Sequence, residues 1–191
     1  MLAHMRRGYN RAMATGTLLT IDDFERLPDE VARNHELVDG ELVDVSGNTP
    51  EHRDIQEFLI VILRPLVHSQ KLGKVYSELE YDFLGNAHGP DISFFGRDKL
   101  PLLNRKKRVQ RFVPDLAMEI ISASDTYDGM LKKKDRYLAA GTREVWLISS
   151  EAREVRICGA GQDRVLRGSD ELSTPLIPGF TITADALFNL E

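Results

Sequence analysis

Each of two short apolar segments carries one carboxylate. Asp91 lies at the head of Pro90-Asp91-Ile92-Ser93-Phe94-Phe95, and Glu119 lies inside Leu116-Ala117-Met118-Glu119-Ile120-Ile121. Apolar runs of this length are typical of buried β-strands. A helix predicted to begin after Asp128 then supplies Lys133. Two carboxylates on neighbouring strands can hold a hard divalent cation, and a nearby lysine can orient or deprotonate a water or bind a phosphate. Metal-assisted hydrolysis of a phosphodiester requires these parts and few others.

A hairpin and a long helix are predicted upstream of these segments. Apolar residues flank Asp39-Gly40 within residues 36–45, which is a strong signal for a two-residue turn. Residues 51–70 carry apolar side chains at steps of three and four, which predicts one amphipathic helix. Pro65 is expected to kink or end this helix. The predicted stripe consists of Ile55, Phe58, Leu59, Ile62, Leu63, Leu66 and Val67.

The remaining pattern alternates strands and helices. We expect a short helix at the N-terminal side, capped by Thr20 and stopped by Pro28. The other predicted elements are a strand at 75–83, a turn at 85–89, a polar loop at 96–111, a helix at 128–140, strands at 143–148, 154–158 and 164–166, and a short helix at 184–190. This order favours an α/β (α+β) fold, with a mixed central sheet flanked by helices and an added antiparallel hairpin.

Composition and length narrow the class of protein. The chain has 191 residues, of which 42% are hydrophobic and 29% charged, as in a soluble domain of ordinary size. No apolar run approaches the ~18 residues that cross a bilayer, so we expect no membrane partner. Residues 1–16 are expected to form a flexible leader and 17–191 a single domain. The single cysteine, Cys158, excludes an intramolecular disulfide and a cysteine-rich zinc site, and favours the cytoplasm.

Several other chemistries lack support. There is no phosphate-binding glycine-rich loop and no Gly-x-Ser-x-Gly elbow. Cys158 has no histidine near it in the sequence, which disfavours cysteine catalysis.

Two basic clusters stand out in a chain of net charge -5. They are solvated surfaces or they bind phosphates, and the sequence leaves both interpretations open. As nucleic-acid contacts we select the first cluster, which is Arg105, Lys106, Lys107, Arg108 and Arg111. The second consists of Lys132, Lys133, Lys134 and Arg136.

The ordered set of motifs resembles the PD-(D/E)XK nuclease superfamily and, within it, the Uma family of putative restriction endonucleases. The resemblance spans about residue 17 to 190. It is carried by the segments 36-ELVDGELV-43, His52, 90-PDIS-93, 114-PDL-116, 119-EIIS-122, Lys133, Tyr137, Gly141 and 144-EVWL-147.

The resemblance implies a restriction-endonuclease-like core and a metal site. Asp91, Glu119 and the backbone carbonyl of Ile120 would bind Mg²⁺ or Mn²⁺. The usual acid-x-lysine element fails here, because Ile121 occupies the lysine position. The lysine is instead expected from the next helix. The resemblance favours Lys133 over Lys132 and Lys134, because Tyr137 follows it by four residues as in the family pattern, and residues four apart share a helix face.

Three further residues are expected to support the site, each with an ordinary alternative. Glu36 is either a carboxylate that faces the metal or an edge-strand residue. Glu80 is expected, on weaker grounds, to share the cleft of Asp91. His52 is a general base, a phosphate contact or a surface residue at a helix N-terminus. Asp91 itself could close a turn, and Glu119, in an apolar strand, needs either a cleft or a partner.

Two functional hypotheses follow. The first is a metal-dependent endonuclease that acts on nucleic acid, with DNA favoured, as a cytoplasmic homodimer. The second is a nuclease-fold protein that binds nucleic acid or a protein partner without cutting. The Ile121 departure and the acidic net charge motivate the second.

Overall fold

The computed structural model describes residues 18–45, 48–122, 125–159 and 163–190. The predicted leader, 1–16, lies outside these residues. Within them, no helix combines the length and apolar composition that crossing a bilayer requires.

The described chain begins with two short helices. Helix α1 spans Ile21–Glu25, and Thr20 and Asp23 form the reciprocal capping box that the sequence predicts. The single helix expected before Pro28 is followed by a second one, α2 (Asp29–Ala32). Pro28 is the N-cap of this second helix, with a φ of -55°.

The predicted hairpin is present. Strands β1 (His35–Val38) and β2 (Glu41–Asp44) pair antiparallel, with Val38 opposite Glu41. The two turn residues, Asp39 and Gly40, have φ values of 51° and 83°. Positive φ at both positions is the turn geometry that matches the twist of paired strands.

The prediction of one continuous strand at 75–83 is wrong. The segment divides into β3 (Gly73–Ser77) and β4 (Tyr81–Phe83). Between them Glu78 adopts a φ of 53°, and its N–H donates to the carbonyl of Pro90 at 3.1 Å. The chain therefore turns away at Glu78 and enters a second sheet.

The turn predicted at 85–89 also contains a strand, β5 (Asn86–His88). It pairs antiparallel with β4 and, at Ala87, with Leu37 of β1. Among the residues that the structure describes, the first sheet therefore has four strands, in the order β2-β1-β5-β4. This sheet carries Glu36 and His88 toward the site.

Helix α3 spans Pro50–Ser69, with Thr49 as its N-cap. Of the two effects expected of Pro65, a kink or an end of the helix, the second is wrong, because the helix continues to Ser69. Pro65 lacks the N–H that would bond the carbonyl of Val61. Val61 is exposed, so water can satisfy that carbonyl. Ile55, Leu59, Leu63 and Val67 of the predicted stripe are buried, and the other three residues are partly buried against the same core.

The second sheet confirms the mixed topology. Its further elements are β6 (Ile92–Gly96), β7 (Leu116–Ile121), α4 (Tyr127–Ala139), β8 (Glu144–Ser149), β9 (Glu154–Gly159) and β10 (Arg164–Arg167). Within the described residues the sheet has six strands, in the order β10-β9-β8-β7-β6-β3. Strands β7 and β8 are parallel and joined through helix α4, whereas the other pairs are antiparallel.

Smaller elements complete the chain. A 3-10 helix, Arg97–Leu102, lies in the loop predicted at 96–111. Strands β11 (Glu171–Ser173) and β12 (Thr181–Thr183) form a hairpin that the sequence analysis missed. The short helix predicted at 184–190 is a 3-10 turn, Ala184–Leu187.

Alternation along the central strands separates two cores. In β7, Leu116, Met118 and Ile120 join the aliphatic cluster beneath α3. Ala117 and Ile121 join the cluster beneath α4. Glu119 has the same parity as Ala117 and Ile121, so the strand directs it toward α4.

Candidate active site

Lys133 connects two carboxylates on different sheets. Its Nζ lies 3.1 Å from Oε2 of Glu119 on β7 and 3.2 Å from Oε1 of Glu36 on β1. The neighbouring lysines point elsewhere, since Lys132 is exposed and Lys134 pairs with Asp135 at 2.7 Å. Of the three candidates, only Lys133 reaches these carboxylates.

Glu119 is almost fully buried, with 5% of its surface exposed. Tyr137, one turn after Lys133 on α4, donates its hydroxyl to Oε1 of Glu119 at 2.6 Å. Burial raises the pKa of the Glu119 carboxyl to about 8; the Lys133 ammonium opposes the rise, and the charges of Asp91 and Glu36 add to it. A neighbouring cation therefore favours the ionised form of Glu119.

The charge of Lys133 follows from the same cluster. Burial disfavours the ammonium, but the carboxylates of Glu119, Glu36 and Asp91 outweigh it and raise the pKa of Lys133 above its usual value. Lys133 is thus a protonated hydrogen-bond donor at neutral pH. This protonation disfavours the role of general base, which the sequence had left open.

Glu36 is held by three partners. Besides Lys133, the ring of His88 lies 2.8 Å from Oε2, and the N–H of Gly89 donates to Oε1 at 3.3 Å. Burial alone would raise the pKa of Glu36, but Lys133 and His88 outweigh it and lower the pKa to about 2. Glu36 is therefore an ionised member of the cluster.

His88 and Arg136 were missed as site residues by the sequence analysis. His88 is 2% exposed, and its Nε2 lies 3.1 Å from a guanidinium nitrogen of Arg136. Arginine can only donate, so Nε2 accepts and the Nδ1–H of His88 donates to Glu36. Arg136 also pairs with Asp39 at 3.0 Å. The only signal in the sequence was the position of Arg136, three residues after Lys133 on one helix.

Asp91 lies beside β7 where the strand pairing stops. The last paired residues of β6 and β7 are Ile92 and Met118. Beyond them, Oδ2 of Asp91 accepts the backbone N–H of Ile120 at 2.7 Å and lies 3.1 Å from Nε2 of His52. The side chain of Asp91 thus replaces a strand partner, which brings it next to Glu119.

His52 is a buried residue, with 5% of its surface exposed. The interpretation of His52 as a surface residue at a helix N-terminus is therefore wrong. Its ring faces Asp91 from the first turn of α3.

The donor set suits a hard divalent cation. Three carboxylates, Glu36, Asp91 and Glu119, interact electrostatically with one ammonium, Lys133. Mg²⁺ needs only one or two carboxylates and keeps several waters. Among the residues that the structure describes, no three His, Cys, Asp or Glu side chains are arranged to hold an ion. Two carboxylates with a backbone oxygen and waters are the arrangement that these residues can provide.

Comparison with known proteins identifies the family. The Uma2 model, described as a putative restriction endonuclease, matches residues 21–185. The chain belongs to the Uma2 family. A crystal structure of a putative nuclease belonging to DUF820 from Anabaena variabilis ATCC 29413 has a similar fold. Its TM-score is 0.80 at 23% sequence identity, over 90% of this chain and 98% of that chain. No curated protein matches the sequence.

Membership of the Uma2 family supports a nuclease function, and the fold confirms the restriction-endonuclease-like class that the resemblance implied. Ile121 departs from the superfamily pattern as a partly buried residue packed in the cluster beneath α4. The space beside Glu119 is filled by Lys133 instead. In this Uma2 protein the ammonium that pairs with Glu119 therefore belongs to the helix that follows the strand.

Glu80 is bound to Arg108 in this Uma2 fold. Oε2 of Glu80 lies 2.8 Å from Nε of Arg108. Burial raises the pKa of Glu80 to about 7, and Arg108 opposes this rise while the charge of Glu36 adds to it. The charge of Glu36 therefore affects the pKa of Glu80, but the ion-pair partner of Glu80 is Arg108 and not Lys133.

The basic loop is largely engaged with its own chain. Lys107 pairs with Glu25 at 2.6 Å. Arg108 stacks over the ring of Phe24 at 4.2 Å. Arg111 pairs with Asp22 and Asp82. Arg105 and Lys106 are exposed and have no ion pair within the described chain. Nucleic-acid contact by this loop stays a prediction, and it is strongest for Arg105 and Lys106.

Proposed function

We propose that this protein is a divalent-cation-dependent endonuclease that hydrolyses phosphodiester bonds of nucleic acid, with DNA as the favoured substrate. One observation carries the proposal: three elements bring Asp91, Glu119 and Lys133 into one buried cluster. Membership of the Uma2 family supports the same reaction class.

The cation would be held by Asp91, Glu119 and the backbone carbonyl of Ile120. The N–H of Ile120 faces Asp91, and in a β-strand the N–H and C=O of one residue point to the same side. When bound, Mg²⁺ or Mn²⁺ supplies Lewis-acid stabilisation of the phosphate and activates a coordinated water.

Lys133 has a positioning role in this proposal. Its ammonium is anchored between Glu119 and Glu36, so a third N–H remains to donate to the attacking water or to a phosphate oxygen. Tyr137 fixes the other oxygen of Glu119. Glu36, held by His88, keeps Lys133 charged and oriented. The chain's own groups thus orient the reactants in a buried site.

The proposed partners are nucleic acid and a second copy of the chain. A homodimer would present two sites to two strands. Arg105 and Lys106 would contact the phosphate backbone. Cys158 is buried as a free thiol, which suits the proposed cytoplasmic location.

The non-cutting alternative has one observation in its favour. Lys107, Arg108 and Arg111 are engaged with carboxylates or an aromatic ring of the same chain, which weakens the case for a phosphate grip. This alternative predicts no metal-dependent cleavage of any substrate.

The test is a cleavage panel. Purified protein is incubated with plasmid, single-stranded DNA and RNA, with Mg²⁺ or Mn²⁺, beside Glu119→Ala and a chelator control. We expect cleavage of at least one DNA substrate by the wild type alone, lost with chelator. Cleavage that Glu119→Ala leaves undiminished would contradict the proposal, and silence on every substrate would favour the non-cutting alternative.

A further inference from the structure

Helix α3 contacts Asp91 through two side chains, one turn apart. His52 and Gln56 are both buried, with 5% and 7% of their surfaces exposed. Residues four apart share a helix face. Two polar side chains buried on the same face of a mostly apolar helix require partners, and each finds one in Asp91.

The two side chains hold opposite ends of Asp91. The Nε2 of His52 lies 3.1 Å from the carboxylate atom Oδ2. The Nε2 of Gln56 donates to the backbone carbonyl of Asp91 at 2.9 Å and lies 3.5 Å from Oε1 of Glu78. With the N–H of Ile120 also on Oδ2, both the backbone and the carboxylate of Asp91 are fixed.

The proton position on His52 follows from its surroundings. Its Nδ1 is buried and has no hydrogen-bond partner within the described residues. A proton on Nδ1 would bury an unpaired donor and leave a lone pair on Nε2 facing Oδ2 of Asp91. A proton on Nε2 instead points at that carboxylate, so Nε2 is the nitrogen that donates in this contact.

These contacts select one oxygen of Asp91. Oδ2 receives two donors, whereas no hydrogen bond to Oδ1 occurs within the described chain. Oδ1 is therefore the oxygen with lone pairs left for a cation.

We infer that His52 and Gln56 are positioning residues, which orient Asp91 so that Oδ1 faces the divalent cation. The inference rests on the proposed function and adds to it that helix α3 orients the ligand Asp91. Partners that orient a metal ligand typically change metal affinity by about 10–100-fold when they are removed.

The side chain of His52 can be changed without removing the helix cap. The cap uses the backbone N–H of His52, which donates to Oγ1 of Thr49 at 3.2 Å. His52→Ala removes the ring, and His52→Gln restores an amide N–H donor at similar reach. Gln56→Met keeps length and volume but removes the donor. Glu57→Ala, at an exposed position of the same helix, is the matched control.

The experiment measures the affinity of each full-length variant for Mn²⁺ alone, from the electron paramagnetic resonance signal of the free ion. Circular dichroism and thermal unfolding verify folding. We expect His52→Ala and Gln56→Met to weaken Mn²⁺ binding by about 10–100-fold. His52→Gln and Glu57→Ala should bind as the wild type does.

The outcomes separate the two proposals. Wild-type protein that binds no Mn²⁺ would overturn the cation-dependent function and this inference together. Wild-type binding with unchanged affinity in a folded His52→Ala or Gln56→Met would overturn the positioning role alone. If His52→Ala does not fold, Gln56→Met decides. Weakened binding that His52→Gln fails to restore would reduce His52 to a packing residue.

Discussion

The two faces of the six-stranded sheet are built from the same strands and bury different chemistry. Beneath α3, the sheet and the helix enclose aliphatic and aromatic side chains in one apolar cluster. Beneath α4 lies a second apolar cluster, and there the same strands direct Glu119 inward to meet Lys133 and Tyr137. An apolar core contributes stability through burial. A buried charge cluster costs desolvation and contributes little net stability. Both faces therefore contribute apolar packing to the fold, and the α4 face also holds the cluster of Glu119, Lys133 and Tyr137.

Asp91 lies where these two faces meet. It takes His52 and Gln56 from α3 and the N–H of Ile120 from β7. The apolar packing of α3 against the sheet therefore also positions one ligand of the proposed site. Stability and site geometry are linked at this residue.

The largest expected effect concerns the α4 face. Lys133→Met should lower the cleavage rate by about 10²–10³-fold, because it removes a positioned donor from a buried site. The measurement is the initial cleavage rate on the substrate that the wild type cuts. Lys132→Met, one residue away and exposed, should keep the wild-type rate. Equal rates in the two variants would remove Lys133 from the site.

Truncation on the α3 face should act on stability instead. Leu63→Ala removes a fully buried side chain from the apolar cluster. It should lower the free energy of unfolding by about 2–5 kcal/mol, measured by denaturant titration. Val61→Ala, at an exposed position of the same helix, should stay within about 0.5 kcal/mol. Well below its melting temperature, Leu63→Ala should retain the wild-type cleavage rate. A loss of cleavage in the folded variant would contradict the claim that this position acts on stability alone.

The pH dependence of the free energy of unfolding tests the ionisation of Glu80. Its pKa is raised to about 7 in the folded protein, from an ordinary value of 4.5. The folded state therefore binds the extra proton between these values, and this group makes stability fall as pH rises from about 4.5 to 7. Glu80→Gln should flatten that fall by about 1–3 kcal/mol. The free energy of unfolding, measured at pH 5 and pH 8, tests this against the exposed control Glu41→Gln. Identical pH dependence in wild type and Glu80→Gln would contradict the assignment.

The smallest effect concerns the basic loop, outside both faces. Replacing Arg105 and Lys106 by Gln should reduce the salt dependence of DNA binding by about one unit of log–log slope for each residue. Lys107→Gln should change it less, because Lys107 is paired with Glu25. Fluorescence anisotropy of a labelled duplex across a salt series provides the slope. Unchanged slopes in the Arg105 and Lys106 variants would place DNA contact elsewhere.

Local patterns predicted the elements that local forces determine. The hairpin follows from Asp39-Gly40, and the buried face of α3 follows from its apolar spacing. The break at Glu78 and the strand β5 could not be predicted this way. Each depends on pairing with distant residues, Pro90 for Glu78 and Leu37 for β5.

The site residues also fall into two groups, those that the sequence indicated and those that only the fold brings together. The apolar strands pointed to Asp91 and Glu119, the resemblance selected Lys133 among three lysines, and the structure places the three residues close together. The partners of His88 are Glu36, 52 residues away, and Arg136, 48 residues away. Gln56 reaches Asp91 across 35 residues. No spacing rule connects such pairs, because the fold alone places them side by side.

The most direct measurement is an experimental structure of the protein with Mn²⁺, located by its anomalous scattering. We predict one Mn²⁺ peak bounded by Oδ1 of Asp91, the carboxylate of Glu119 and the backbone carbonyl of Ile120, with Lys133 nearby and uncoordinated. Crystals that take up Mn²⁺ only at other places, or a peak that Glu119→Ala leaves unchanged, would contradict it.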